Sequence, residues 1–95
     1  MGENMNYYLL FYHLVEDYVS RRAPYREKHM QLAREAFSRG ELILGGALAD
    51  PPDMAVLVFR SVNRDAVEQF VQKDPYVDNG LVSRYEIRPW TVVIQ

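Results

Sequence analysis

Residues 74–80 read Asp74-Pro75-Tyr76-Val77-Asp78-Asn79-Gly80, and this stretch sets where the second of two predicted helices ends and the last strand begins. Pro75 restricts the residue before it to extended dihedral angles and lacks a backbone donor, so the helix is predicted to stop at Asp74. Asn79 and Gly80 tolerate positive φ and are expected to close a loop. An aspartate held at a helix end and followed by a tyrosine is typical of a catalytic base or its orienting partner.

The chain before this stretch alternates between strand and helix patterns. The predicted strands cover residues 6–14, 41–48 and 54–60, and in the first and third of them apolar residues occupy both faces. One helix is predicted from Pro24 to Gly40, with an earlier start near Glu16 or Asp17 left open, and a second from the N-cap Asn63 to Asp74. Residues 49–53 predict a turn, because Asp50-Pro51-Pro52 suits neither a helix nor a central strand.

Two local features of the strands call for interpretation. The last strand, residues 82–94, changes its apolar parity at Arg88-Pro89, which predicts a bulge there, and a proline inside a strand favours a sheet edge. Gly45 and Gly46 interrupt the second strand, which indicates either a bulge or the close approach of another backbone or a ligand.

The order of elements is therefore βαββαβ. This order predicts an α+β, ferredoxin-like subunit with an antiparallel sheet and both helices on one face. Because the other face of the sheet is apolar too, we expect a second copy of the chain to cover it, giving a homodimer with its two sheets face to face.

Composition limits the classes of partner. The 95 residues predict one domain over 1–95 with a flexible terminus at 1–5, and the net charge of −2 with no basic stripe argues against nucleic acid and anionic membranes. The chain has no cysteine and no apolar run near the roughly 20 residues that a membrane span needs. We therefore expect a cytoplasmic protein.

The candidate site joins the two helices. In this topology the helices run antiparallel, so His29, on the apolar stripe of the first helix, is predicted to lie beside Asp74 at the end of the second. A carboxylate on one ring nitrogen fixes the tautomer of a histidine and leaves the other nitrogen free to move a proton. A buried structural pair without chemistry remains the alternative.

Other residue types limit the chemistry that is possible at this pair. No serine or cysteine stands out as a nucleophile, so proton transfer is favoured over covalent catalysis. His13, His29 and Asp74 match no metal-ligand spacing, so no metal and no cofactor are predicted. Tyr76, Gly46 and Arg26 are predicted to bind the substrate.

Several of these residues together resemble one known family. His29, Gly45-Gly46, Asp74-Pro75-Tyr76 and Arg88-Pro89-Trp90 resemble the YciI-like family over about residues 7–93. The resemblance implies a single YciI-like domain with a ferredoxin-like subunit, dimerisation as an α/β barrel, and an active site on His29 and Asp74. It also implies activities such as those of a dehydrochlorinase for a chlorinated hydroxyquinol, of muconolactone isomerases or of cofactor-free monooxygenases.

Two functional hypotheses follow. The first is a cofactor-independent lyase or isomerase that uses a His-Asp dyad for proton transfer on a small oxygenated substrate, aromatic ones included, in which His29 is the general acid and base and Asp74 orients it. The second is a non-catalytic small-molecule-binding or dimerisation module, in which the same two residues are structural.

Overall fold

The computed structural model of the chain describes residues 4–95. Part of the terminus predicted to be flexible, residues 1–3, lies outside the described residues. Within residues 4–95, every helix is too short or too polar to span a membrane. The elements are β1 Asn6–Leu14, α1 Tyr18–Arg21, α2 Ala23–Ser38, β2 Leu42–Ala47, β3 Met54–Ser61, α3 Asp65–Lys73, α4 Pro75–Asp78 and β4 Val82–Trp90.

The four strands form one antiparallel sheet in the order β2-β3-β1-β4. The two central strands are therefore not consecutive in the chain, as the split βαβ arrangement requires. This order confirms the predicted α+β, ferredoxin-like fold. It also places β4, with Pro89, at a sheet edge, where a missing backbone donor removes no bond to a further strand.

The core lies between one face of the sheet and the helices. Alternate residues of β1 are buried, from Tyr8 and Leu10 to Tyr12 and Leu14, because successive strand side chains point to opposite faces. The helices contribute buried residues to the same cluster, namely Ala36, Val67, Phe70 and Val71. Both long helices thus cover the same face, as predicted.

The starts of the helices show what local sequence decides. The open question about the first helix is resolved by a break: α1 is a separate single turn, and α2 begins at Ala23 with Pro24 in its first turn, where a proline loses no helical bond. The prediction that Asn63 is the N-cap of α3 is wrong by one residue, because the N-cap is Arg64 and it has no side-chain capping bond. The Asn63 side chain instead accepts a hydrogen bond from the Asp65 backbone N–H at 2.9 Å in the turn that leads into the helix.

The prediction for the last strand is wrong in two respects. The strand ends at Trp90 and not at residue 94, and no bulge lies at Arg88-Pro89, since the pairing with β1 runs unbroken there. The register shift lies at the other end, between His13 and Leu14. The apolar parity changes because both faces are apolar: Ile87 is buried toward the helices, whereas Trp90 pairs with Tyr7 and meets its ring edge-on at 6.5 Å.

The glycines of β2 leave room for neighbouring groups, and neither of them lies at a bulge. The register shift in β2 lies between Leu42 and Leu44, ahead of the glycines. A Cβ on Gly45 would lie 3.1 Å from Leu57 Cγ, so this position accepts the close approach of a neighbouring strand. Beside Gly46 there is open space, with no heavy atom within 4 Å of a Cβ placed there.

Residues 74–80 confirm the predicted stop but are not simply a loop. Asp74 has φ −78° and ψ 117°, the extended conformation that Pro75 imposes on it. Pro75 then begins α4, a single helical turn, because its fixed φ suits the first helical position. Gly80 has φ +75°, whereas Asn79 keeps φ −105°, so only the glycine supplies the left-handed turn into β4.

We call the sheet face away from the helices the outer face. Its apolar side chains are mostly half-buried within the single chain and include Tyr7, Leu9, Phe11, Val56, Val58 and Trp90. The outer face is thus as apolar as the alternation in the sequence predicts.

Candidate functional site

Asp74 is the fixed centre of the candidate site. It follows the last residue of α3, caps α4, and is fully buried. Its Oδ1 accepts a hydrogen bond from the Tyr76 backbone N–H at 3.0 Å, and its Oδ2 accepts one from the Tyr12 hydroxyl at 2.8 Å. His29 Nδ1 lies 2.9 Å from Oδ1 and 3.1 Å from Oδ2. The predicted pair, 45 positions apart in sequence, is therefore in contact.

This hydrogen-bond pattern determines the tautomer of His29. The Tyr76 N–H can only donate, and the Tyr12 hydroxyl donates to the same carboxyl group, so Asp74 acts as an ionised acceptor. The ring nitrogen facing it must then carry a proton, which makes Nδ1 the donor. Nε2 is left to act as the proton acceptor in the neutral ring.

Sequence reasoning missed Tyr12 as the third member of this group. Burial raises the pKa of the Tyr12 hydroxyl far above its usual range, and the adjacent Asp74 carboxylate raises it further. Tyr12 therefore keeps its proton and stays a donor to Asp74 throughout the neutral range. A signal was present, because a tyrosine on the buried face of β1 needs a partner for its hydroxyl.

Aromatic rings hold the imidazole of His29 in place. The Tyr76 ring stacks on it with centroids 3.9 Å apart and planes 7° from parallel, and Phe70 meets it edge-on at 6.4 Å. The His29 side chain is only 15% exposed. With Asp74 holding one nitrogen and Tyr76 covering one ring face, the orientation of Nε2 is well defined.

A cavity of about 570 Å³ opens in front of His29, between α2 and the β2 side of the sheet. The structure brings the predicted substrate-binding residues Tyr76, Arg26 and Gly46 to the lining of this one cavity, together with His29. Asp74 does not line it, but all three of its hydrogen-bond donors, Tyr12, His29 and Tyr76, do. The volume falls in the range of small-molecule sites, roughly 300 to 1,000 Å³.

The hydroxyl of Tyr76 is unusual among the buried groups. Tyr76 is 2% exposed, and no residue of the described chain lies in hydrogen-bonding geometry with its Oη. Burial raises the pKa of this hydroxyl, and the neighbouring Tyr18 adds to the increase while the Arg26 guanidinium opposes it. Tyr76 is thus a protonated donor without a partner, next to His29. Tyr18 and Arg26 are the polar neighbours that influence it.

The second histidine is not part of this site. His13 lies on the outer face, where its Nε2 is 3.4 Å from the Glu86 carboxylate. Across residues 4–95, no three His, Cys, Asp or Glu side chains are grouped closely enough to hold a metal ion. The geometry at His29 is that of a histidine-carboxylate pair facing a cavity.

The sequence matches one known protein family. The family model of the YCII-related domain matches residues 5–91. No curated protein matches the chain significantly. The match covers all the elements of the fold and every residue of the candidate site.

Solved structures share the fold at low identity. The 5-chloro-2-hydroxyhydroquinone dehydrochlorinase from Burkholderia phenoliruptrix AC1100, in complex with 2,5-dihydroxybenzoquinone, is 16% identical with a TM-score of 0.75, over 90% of this chain and 93% of that one. A candidate antibiotic biosynthesis monooxygenase from Bacteroides thetaiotaomicron is 12% identical with a TM-score of 0.64, over 96% and 91%. A NIPSNAP family protein from Agrobacterium tumefaciens C58 is 15% identical with a TM-score of 0.62, over 95% and 94%.

At these identities the structural likeness shows the fold alone. The chemistry must be argued from the site itself.

Proposed function

The chain belongs to the YCII-related domain family, and we propose that it is a cofactor-independent lyase or isomerase in which His29 moves a proton on a small oxygenated substrate. One observation carries the proposal: the buried Asp74 holds Nδ1 of His29 at 2.9 Å, while His29 lines a cavity large enough for a small molecule. A base fixed in one tautomer and open to a cavity is the arrangement that general acid-base catalysis needs.

The proton transfer runs through His29 Nε2. Its lone pair takes a proton from a substrate carbon that is activated by a neighbouring oxygen, and the electrons of the broken C–H bond move toward that oxygen. In an elimination these electrons then form the new double bond while a leaving group departs with its own bonding pair. In an isomerisation, Nε2–H returns the proton to a different carbon. Asp74 stabilises the imidazolium that exists between the two steps.

Tyr76 has a separate part in this proposal. Its protonated hydroxyl has no partner within the described chain, so it is free to donate to the substrate oxygen on which negative charge develops. A donor that is already in place when charge develops stabilises the transition state more than the ground state. Tyr76 thus binds the oxygen while His29 handles the proton.

A relative of the same fold supports the reaction class. Its name states that it is a dehydrochlorinase of 5-chloro-2-hydroxyhydroquinone, which is an oxygenated aromatic compound that loses a proton and chloride. That activity is a property of that protein, and it motivates the choice of substrates for testing this one.

The homodimer is part of the same proposal. The outer face carries half-buried apolar side chains across β1 and β3. A protein that packs against such a face removes this apolar surface from water, which is favourable. We infer that a second copy covers it and that the two sheets form the dimeric α/β barrel, with each cavity on the helix side of its own sheet.

The first test asks whether His29 moves protons. The wild-type protein is incubated in D₂O with a panel of oxygenated aromatics that includes 5-chloro-2-hydroxyhydroquinone. We expect it to exchange carbon-bound hydrogens of some of these compounds for deuterium, or to eliminate chloride from the chlorinated ones. His29→Gln, whose amide can still donate to Asp74, should lower the rate by about 10² to 10⁴, which is the usual contribution of a general base. NMR of the substrate measures the exchange.

His13→Gln is the matched control, because it removes the other histidine from the outer face without touching the cavity. It should leave the rate unchanged. A His29→Gln protein that is folded and as active as the wild type would refute the proton-transfer role. The non-catalytic binding module would then be the better account, since it expects ligand binding without exchange in every variant.

A further inference from the structure

The cavity at His29 has a one-sided charge. Three arginines line it, Arg22, Arg26 and Arg34, and no aspartate or glutamate among residues 4–95 does. The nearest carboxylate, Asp74, is fully buried behind His29 and is already bonded by three donors. A cavity whose charged lining is entirely cationic attracts anions.

The three arginines are not equivalent. Arg34 donates to the Glu27 carboxylate at 3.2 Å, and Arg22 lies against Tyr18, with its guanidinium carbon 5.3 Å from the ring centre. Arg26 has no carboxylate within 4.0 Å in the described part of the chain. It precedes His29 by three positions on α2, so the two side chains share one helix face. Arg22 and Arg26 are therefore the two cavity arginines without a carboxylate partner in the described residues. Of the two, Arg22 lies against Tyr18, whereas Arg26 lies within one helical turn of His29.

The Tyr76 hydroxyl supplies an independent sign of a missing ligand. It is buried and has no hydrogen-bond partner within residues 4–95, although buried hydroxyls nearly always have one. The Arg26 guanidinium is close enough to lower the pKa of this hydroxyl against the larger effect of burial. A ligand oxygen that met both groups would give Tyr76 its acceptor and Arg26 its counter-charge.

The rest of the cavity favours an apolar body. Met30, Ala33 and Phe37 extend the α2 wall away from His29, and Leu44, Leu57 and Gly46 form the wall on the sheet side. The open space beside Gly46 leaves room for a flat group next to the backbone. These side chains and the glycine gain free energy by covering apolar ligand surface and present no polar side-chain group to it.

We propose that the site selects small monoanions with a ring-sized apolar body, and that Arg26 and the Tyr76 hydroxyl bind the anionic oxygen beside His29. This proposal rests on the proposed function for the location of the substrate, and it adds the substrate's charge and shape. The oxyanion has two chemical sources, a carboxylate or a phenolate, and both suit the planar guanidinium of an arginine.

The test is a binding experiment that does not depend on turnover. Isothermal titration calorimetry at pH 8 would compare benzoate, 2,4-dinitrophenolate and the neutral isostere benzamide with the wild-type protein. We expect at least one of the two anions to bind about tenfold or more tightly than benzamide, which is the effect of one charge-assisted hydrogen-bonded contact. Tighter binding of benzoate assigns the carboxylate, and tighter binding of 2,4-dinitrophenolate assigns the phenolate.

Variants then identify the receptor. Arg26→Gln should weaken the preferred anion about tenfold without changing benzamide, and Tyr76→Phe should weaken the same anion. Arg34→Gln removes an equal charge from the cavity wall, but from an arginine that is paired with Glu27, and it should change the affinity less than about threefold. His29→Gln should retain anion binding, so loss of turnover and loss of binding are distinguishable.

Either of two results would overturn the proposal. One is that neither anion binds more tightly than benzamide. The other is that Arg26→Gln and Arg34→Gln weaken the anion equally, which would indicate a diffuse field and no defined receptor. Both would leave the proton-transfer role of His29 standing, because that role is tested by hydrogen exchange.

Discussion

Residues 4–95 contain two histidine-carboxylate pairs, one on each side of the sheet. On the helix side, His29 lies 2.9 Å from Asp74, and the two side chains are 15% and 0% exposed. On the outer face, His13 lies 3.4 Å from Glu86, and the two side chains are 23% and 45% exposed. The chemical groups are the same, but the first pair is shorter and its carboxylate has no access to water.

The difference shows that the surroundings of a pair, and not its residue types, determine its use. Asp74 must take all its hydrogen bonds from the protein, and it receives them from Tyr12, Tyr76 and His29. This leaves the imidazole with one fixed tautomer. Within the single chain, Glu86 can exchange His13 for water or for Arg84, which lies 3.8 Å away, so the His13 ring is less firmly held than that of His29.

The largest contrast is expected when the carboxylates are neutralised. Asp74→Asn places an NH₂ group where only acceptors fit, and breaking a buried pair costs about 3 to 5 kcal/mol in the free energy of unfolding. Glu86→Gln on the outer face should cost less than about 1 kcal/mol. Urea denaturation of the two variants measures both values. Equal costs would mean that the burial of Asp74 does not distinguish the pairs.

A smaller effect should separate the buried donor from an exposed one. Tyr12→Phe removes one of the three donors to Asp74, and we expect a loss of about 1 to 3 kcal/mol because the buried acceptor is left partly unsatisfied. Tyr85→Phe is the matched control, since Tyr85 lies opposite Tyr12 in the sheet but is 46% exposed. If both variants unfold at the same urea concentration, the Tyr12 bond contributes no net stability.

The same tyrosine predicts how stability depends on pH. The pKa of Tyr12 is raised in the folded chain. Its contribution to the free energy of unfolding is therefore fully present below the ordinary tyrosine pKa of about 10 and is lost as the pH rises above that value. The wild-type protein should therefore lose stability above about pH 10 more steeply than Tyr12→Phe does. Thermal melts between pH 7 and pH 11 compare the slopes, and parallel curves would contradict the assignment.

The outer face can be tested through its assembly. Val58→Asp places a charge among the apolar side chains of that face, and the proposed dimer should dissociate because a buried, unpaired charge is costly. Sedimentation equilibrium should then report about half the wild-type mass, with circular dichroism unchanged. Asp53→Asn, on an exposed turn, is the control. A wild-type protein that sediments as a monomer would show that the outer face needs no second copy.

Much of the candidate site follows from sequence because it depends on local rules plus one topological rule. Pro75 stops α3 at Asp74 by a steric restriction on its neighbour, and the helix periodicity places His29 on the inward stripe. Antiparallel helices then bring the two residues together. Each of these steps uses residues close in the chain or the order of elements, so each could be predicted.

The tertiary structure was needed where a pattern had two physical explanations. A change of apolar parity near Pro89 indicated a bulge. The structure explains the change differently: Trp90 lies on the outer face, where an apolar residue packs against Tyr7. Gly45 and Gly46 left two alternatives open, a bulge or a close approach, and the structure decides for the close approach, since Gly45 leaves room for Leu57 and Gly46 lines the cavity. In both cases the side chains across the sheet decide the meaning, and one strand read alone does not contain them.

By itself, the sequence determined the order of the elements, the end of α3 at Asp74, the two apolar sheet faces and the pairing of His29 with Asp74. Only the tertiary structure decided that Tyr12 completes the bonds of Asp74, that Tyr76 stacks on His29 with a hydroxyl that has no partner within residues 4–95, and that Arg26 lines the cavity without a carboxylate partner there. The physical reason is range. Backbone sterics and periodicity act over a few residues, whereas hydrogen bonds and charge contacts depend on distances that exist only once the sheet and helices have packed.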